Sequence, residues 1–377
     1  MSSGRAVYLD HASSAPVLPA VADLLAELYR RGLGNSSSIH RAGVTAATEL
    51  ERARLRIATV LGAGPEEIFF TSGATESNNL VVAGALRAGV AAGRNELVVS
   101  RIEHSSVLEA ARAAEATGAV LRYLDVDGRG HVSLDQLERL LGPRTALVSV
   151  MHANNEIGTI QDLRAIGARC RRSNVPFHSD GAQAFCKVPV DVREVPVDMY
   201  TFSGHKVHGP KGVGGLYLRS GVPLAPLFYG GGQEGALRPG TVAVELVVAM
   251  SRATMAFTSE TRERLAALGQ QLRSSLRESF PDIRFHGDEL RCLPNILNFA
   301  LPGASAKELL VKLDARGIRG SAGSACYSGK KTASHVLLAL GLDEARAFEG
   351  IRVSWGVDTT DGEIDELTRA LRELRGE

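Results

Sequence analysis

From Ile68 to about Arg219, short apolar, β-branched and aromatic runs alternate with helical ones, and this alternation limits the possible folds more than any other feature of the chain. Strands are predicted at 67–70, 96–100, 121–124, 146–150, 176–179, 198–202 and 213–218. Helices are predicted between several of them, near 75–92, 105–117, 134–141 and 162–173. Repeated strand–helix–strand units place helices on both faces of a sheet, so the class is α/β with a mostly parallel sheet. Two amphipathic helices, 17–31 and 41–61, precede it. After about residue 243 the pattern changes. A long helical region, 244–279, reads as a hinge element. It leads into strands 283–286, 295–299 and 351–355 and helices 305–316, 332–340 and 361–374. The 377 residues suit two domains. The expected division is a large α/β domain over 16–257 and a smaller α+β domain formed by 1–15 and 258–377.

Ligands of such sheets bind outside the carboxyl ends of the strands, so the chemistry is sought in the loops that follow them. Residues 71–78, Thr-Ser-Gly-Ala-Thr-Glu-Ser-Asn, follow a strand and open a helix. Free N–H groups and hydroxyls there suit a phosphate, or make a plain helix cap. Residues 201–215 combine Ser203, Gly204, His205 and Lys206 with a Gly-rich exit. A lone loop lysine is commonly a solvated charge, but one in this setting can form a Schiff base with pyridoxal phosphate. Residues 177–183, Phe-His-Ser-Asp-Gly-Ala-Gln, end another strand. Pyridoxal chemistry needs an acid beside the ring nitrogen so that the ring stores electrons. Asp180 is placed for this and Gln183 for the ring hydroxyl. Without Lys206, Asp180 would read as a turn residue.

The ordered set of motifs resembles the cysteine desulfurases of the class V aminotransferase group, fold type I pyridoxal-phosphate enzymes. The resemblance covers nearly the whole chain. It runs through Tyr8-Leu-Asp-His-Ala-Ser-Ser, Gly34-Asn-Ser-Ser-Ser-Ile-His, the 71–79 segment, Glu103-His-Ser-Ser-Val, Asn154-Asn-Glu-Ile-Gly and Ser203-Gly-His-Lys. It continues through Gly230-Gly-Gly-Gln-Glu, Arg238-Pro-Gly-Thr, Gly323-Ser-Ala-Cys and Arg352-Val-Ser-Trp-Gly. The resemblance implies that Lys206 is the Schiff-base lysine, Asp180 the partner of the ring nitrogen, Gln183 the ring-hydroxyl donor and His104 the imidazole stacked on the ring. Ala74, Thr75, Ser203 and His205 match the phosphate cradle. Thr241 matches a residue that reaches the neighbouring subunit's phosphate, which implies a homodimer. Asn155 and Arg352 match the groups that hold the substrate carboxylate, a task for which a bidentate arginine is suited.

Cys326 distinguishes the reaction. It lies in a stretch of small residues, 320–331, expected to be a mobile loop, in which Lys330 and Lys331 favour the nucleophilic thiolate. The implied reaction converts L-cysteine to L-alanine, leaves the sulfur on Cys326 as a persulfide, and passes it to a sulfur-acceptor protein. Cys326 is also the residue able to ligate an iron–sulfur cluster during transfer. Cys170, Cys186 and Cys292 read as buried, inert thiols. The chain has Tyr327 where many relatives carry a small hydroxyl residue, and Gly235-Ala236 where an Arg-Gly pair is frequent. It ends at Glu377 without the tail often present in relatives that dock an iron–sulfur scaffold, so iron–sulfur assembly and RNA or DNA thiolation both stay open as destinations. Selenocysteine lyase shares every motif. A non-catalytic scaffold of the same fold is the alternative from another class, and His205 with His208 is a two-ligand metal alternative lacking a third ligand.

A net charge of +1 gives no electrostatic reason for direct nucleic-acid or anionic-membrane binding. No apolar run approaches a bilayer span, and the N-terminus carries no signal pattern. With the cysteine spacing matching no zinc site, a cytoplasmic protein with reduced thiols is expected.

Overall fold

The computed structural model describes residues 6–322 and 332–376. The described elements are, in chain order, β1 (Val7–Tyr8), α1 (Pro19–Arg31), α2 (Arg41–Leu61), β2 (Ile68–Thr71), α3 (Ala74–Val90), β3 (Glu96–Ser100), α4 (Ser105–Glu115), β4 (Val120–Leu124), α5 (Leu134–Leu140), β5 (Thr145–Ser149), α6 (Leu163–Arg172), β6 (Phe177–Asp180), β7 (Met199–Ser203) and β8 (Gly214–Leu218). They continue with α7 (Val244–Ala253), α8 (Ser259–Ser279), β9 (Arg284–His286), β10 (Ile296–Ala300), α9 (Ala306–Asp314), β11 (Ile318–Arg319), α10 (His335–Ala339), α11 (Glu344–Ala347), β12 (Gly350–Ser354) and α12 (Asp361–Arg375).

Strands β2–β8 form one sheet in the order β2-β8-β7-β6-β5-β3-β4. Only β8 runs against its neighbours, so the α/β, mostly parallel expectation holds. The central strands β5 and β7 are buried at every position. Both faces are covered, which is why these strands read as continuous apolar runs rather than alternating ones. Because β2, β3, β5, β6 and β7 share one direction, their carboxyl ends line one edge. There β6 and β7 pair so that Asp180 stands opposite Thr201. The approach requires glycine at 181, where an added Cβ would lie 1.9 Å from the Tyr200 ring.

The C-terminal elements build a three-stranded antiparallel sheet, β12-β10-β9. Helix α8 lays Leu265, Leu268, Leu272 and Leu276 against this region, and Trp355, fully buried, donates its indole N–H to Leu265 O at 3.0 Å. Strand β1 pairs in parallel with β11, and Asp10 bridges to Ser354. The N-terminus is thereby tied to the C-terminal elements.

The single long helix expected over 244–279 is two helices. Phe257 leaves helical geometry (φ −99°, ψ 65°) with its ring buried, and extended Thr258 starts α8 by accepting from Thr261 N–H. The sequence signal was a Thr-Ser-Glu start inside the apolar period, a helix N-cap.

A buried ion pair fixes the turn after β8. Arg54 of α2 donates to both carboxylate oxygens of Glu234, at 3.0 and 2.7 Å, and Phe70 N–H of β2 donates to Glu234 at 2.8 Å. Glu234, Gly235 and Ala236 all have positive φ (46°, 62° and 61°), a conformation two of the three residues adopt only under restraint. Removing one partner leaves a buried charge and releases the strained turn. Glu234→Ala is therefore expected to lower the unfolding free energy by about 3–5 kcal/mol in denaturant titration. A loss below about 1 kcal/mol would show that the pair does not hold the turn.

Candidate active site

Lys206 ends a short 3-10 turn, Gly204–Lys206, directly after β7. Its ammonium donates to Ala12 O at 2.6 Å and Ser13 O at 2.8 Å. Burial lowers its pKa to about 8 and the Arg352 charge pushes the same way, while Asp180 and Asp10 oppose. Much of this amine is neutral, and nucleophilic, near pH 8.

Asp180 ends β6. One carboxylate oxygen accepts from Asn78 at 2.7 Å, the other from Ala182 N–H at 2.9 Å. Asn78 lies one turn inside α3 and also donates to Ser106 Oγ at 2.8 Å. That hydroxyl sits 2.8 Å from His104 Nδ1, which also accepts from Ser106 N–H and so caps α4. Asn78 thus joins the acid to the imidazole. Partial withdrawal from water lowers the His104 pKa against the pull of Asp180. Below this layer, His152 meets the Tyr200 hydroxyl at 2.9 Å, and His178 bridges Ser149 and Thr201. Burial pushes both imidazoles down to about 4, so they stay neutral spacers.

The first N–H groups of α3, at Ala74 and Thr75, have no acceptor within the helix by position. Gly214 lies opposite both Thr71 and Ser203. An added Cβ there would meet Gly73 Cα at 2.7 Å. The helix N-terminus and Ser203 are therefore next to each other across one glycine. His205 follows, its Nδ1 3.3 Å from Ser14 Oγ, and burial lowers its pKa to about 4.

Arg352 on β12 faces this site from the other side. Its guanidinium donates to Asn155 O at 2.9 Å, Asp10 at 2.8 Å and Ser13 Oγ at 2.6 Å. Its Nε is buried with no partner among the described residues. Ser321 exchanges main-chain hydrogen bonds with Arg352, and His335 Nε2 meets Glu103 O at 3.0 Å. The chain on either side of 323–331 is thus anchored beside Arg352 and His104. Cys326, Tyr327, Lys330 and Lys331 lie outside the described residues.

Lys206, Asp180, Gln183, His104, Asn155 and Arg352 converge, and Ala74, Thr75, Ser203 and His205 share the adjoining edge. Thr241 sits on an exposed segment linked to α3 through the Arg238–Glu76 ion pair. His205 and His208 turn to different partners, Ser14 Oγ and Pro16 O. Among the described residues, His208 instead groups with His11 and Asp358, their ligand atoms lying within 4.8 Å of one another. Cys170 and Cys186 are buried as expected, and burial raises both thiols, Cys170 to about 12. Cys292 is only half-buried, with its sulfur 3.7 Å from Arg273, because it sits on the loop before β10 rather than in the core. Sequence reasoning missed Asn78, Ser106 and Asp10. Asn78 lay within the 71–78 motif, and a buried amide one turn past a phosphate-type helix start was its signal.

The donor set fits pyridoxal phosphate. It offers an amine for the aldehyde, a carboxylate for the ring nitrogen, an amide for the ring hydroxyl, and a helix N-terminus with a serine for the phosphate. The aminotransferase class-V family model matches residues 7–367. The mitochondrial cysteine desulfurase of Eremothecium gossypii is 40% identical over 375 residues, spanning 98% of this chain and 76% of that protein. The putative cysteine desulfurase IscS 1 of Bacillus subtilis is 38% identical, with 98% of each covered. Among solved structures, a NifS-like protein aligns at TM-score 0.91 and 35% identity over 98% of this chain and 99% of that one. SspA in complex with cysteine aligns at TM-score 0.82 and 36% identity, over 94% and 99%. The chain belongs to the class-V aminotransferase family and, within it, to the pyridoxal-phosphate-dependent cysteine desulfurases.

Proposed function

We propose that this chain converts L-cysteine to L-alanine and places the sulfur on Cys326 as a persulfide, from which an acceptor protein takes it for iron–sulfur cluster assembly or thiolation. The observation that carries the reading is the Lys206 amine, its pKa lowered to about 8, held beside Asp180 and Arg352 at the strand ends. The family relatives of nearly full length support the same activity, and one aligned structure, SspA, is in complex with cysteine.

When bound, pyridoxal phosphate supplies an electron sink for the substrate Cα. Asp180, oriented by Asn78, would keep the ring nitrogen protonated, Gln183 would serve the ring hydroxyl and His104 the ring face. Ala74, Thr75, Ser203 and His205 would hold the phosphate, and Thr241 would serve the partner's site. Arg352 and Asn155 orient the substrate carboxylate, and Asp10 fixes the guanidinium. Lys206 takes the Cα proton and returns a proton to carbon. The Cys326 thiolate attacks the substrate sulfur. The S–S bond forms as the C–S bond breaks, so cysteine plus thiol give alanine plus persulfide.

Several finer readings belong with this proposal. The large domain comprises 16–257 and the smaller one 1–15 with 258–377. The β1–β11 pairing and the helix break at Phe257 support that division. The protein is a homodimer. Exposed Ile39 and Tyr229 and the outward-facing Thr241 support this reading. Among the described residues no helix is long and apolar enough to cross a membrane. A reducing compartment such as the cytoplasm suits thiol chemistry.

Cofactor-free enzyme is expected to take up pyridoxal phosphate at a rate that rises with pH through a midpoint near 8, because only the neutral amine attacks. A midpoint near the ordinary lysine value of ~10.4 would refute the depressed pKa. Lys206→Ala should lose turnover entirely. Cys326→Ser should keep the yellow cofactor yet release alanine at least about 100-fold more slowly, since a serine hydroxyl is a poor nucleophile at neutral pH. Wild-type alanine release from Cys326→Ser, or the added sulfur appearing on Cys170, Cys186 or Cys292 in peptide mass spectra, would contradict the proposal.

A further inference from the structure

One buried charge has no part in the steps above. Lys187 lies just past the Asp180 strand end and is 3% exposed. It donates to Gln183 Oε1 at 3.2 Å and forms no salt bridge with an acid among the described residues. An ammonium is costly to bury without a carboxylate, so its place calls for a reason. The Gln183 amide supplies one. Its two ends have nearly the same shape, and the partners decide which end points where. A lysine ammonium can only donate, so the amide oxygen faces Lys187. The amide nitrogen then faces Ala12 O, to which it donates at 2.8 Å. That carbonyl also receives the Lys206 ammonium at 2.6 Å.

We propose that Lys187 is a positioning residue. Through Gln183 it fixes a donor at the junction between Lys206 and the cofactor, and its own charge weakens proton binding at that junction. The inference rests on the role proposed for Lys206. Two lysines this close repel. Burial above all, with Lys206 and Arg352 pushing the same way and Cys186 opposing, lowers the Lys187 pKa to about 7. His205 and His208 also feel its charge. Around Lys206 stand Arg352, Asp180 and Asp10. Lys206 and Arg352 each lower the Lys187 pKa, so the Lys187 amine faces the same junction as these two cations.

The test uses the holoenzymes of wild type, Lys187→Met and Lys187→Gln. The visible cofactor band is titrated with pH, and thermal unfolding and the kcat and KM for cysteine are read alongside. Removing a nearby positive charge makes the junction nitrogen hold its proton more tightly. The spectral midpoint should rise by about one pH unit in both variants. The unfolding temperature should stay level or rise, because a buried ammonium is lost. The change should appear in kcat more than in KM. In a Gln183→Ala background the Lys187→Met shift should shrink, as expected for residues acting through one another. An unmoved midpoint in both variants overturns the role of Lys187, and a lowered unfolding temperature with it would mark a structural residue only. A wild-type enzyme lacking the band altogether would overturn the functional reading itself, which keeps the two failures apart.

Discussion

The site depends on holding a half-buried amine against two backbone carbonyls. Lys206 is pinned to the carbonyls of Ala12 and Ser13, and burial takes its pKa down to about 8. Two distant pieces of chain make this arrangement. The β7 end supplies the lysine, and the segment after β1 supplies the carbonyls. That segment is held by the bonds of β1 to β11, Asp10 to Arg352, and Ala12 N–H to Ser354 Oγ. The C-terminal elements therefore do more than enclose the cleft. They fix the acceptors that position the reactive amine and present Arg352 to it.

Charge in the cleft is sorted by partner rather than by distance alone. Asp180 keeps two donors, Asn78 and Ala182 N–H, which hold its carboxylate toward the cleft. The histidines beneath, His152 and His178, are neutral because they are buried and paired with hydroxyls. An anionic carboxylate among neutral imidazoles is what a protonated ring nitrogen requires, because the negative charge holds the proton on the ring. Asn78 and Ser106 form a polar chain that links the His104 imidazole to the Asp180 carboxylate.

Much of this was legible in the sequence, for physical reasons. Strands buried on both faces, such as β5 and β7, leave a continuous apolar run that periodicity detects. Lys206, Asp180 and the start of α3 were legible because each follows a strand, where the fold gathers ligands. Other features were hidden by a stronger local pattern or depended on contacts between distant parts of the chain. The break between α7 and α8 looked like continuous helix because Met255 and Phe257 keep the apolar period across it. Lys187 reads as an ordinary surface charge until Gln183 and Ala12 are placed around it. Asp10 precedes its partner Arg352 by most of the chain, and only the closing of β1 onto the C-terminal elements brings them to 2.8 Å. Cys292 was expected to be buried, but its place on the loop before β10 leaves it half-buried.

The central claim is that amine, acid and thiol act in one turnover on cysteine. The most direct measurement is a single-turnover reaction of the cofactor-loaded protein with no more than about one equivalent of L-cysteine per subunit and no other thiol or acceptor, counting alanine released and sulfur retained. The account predicts alanine released in step with sulfur retained on the protein, about one added sulfur per alanine, and release of that sulfur once a thiol or acceptor is supplied. Alanine produced continuously with no sulfur retained, or no alanine at all, would contradict it.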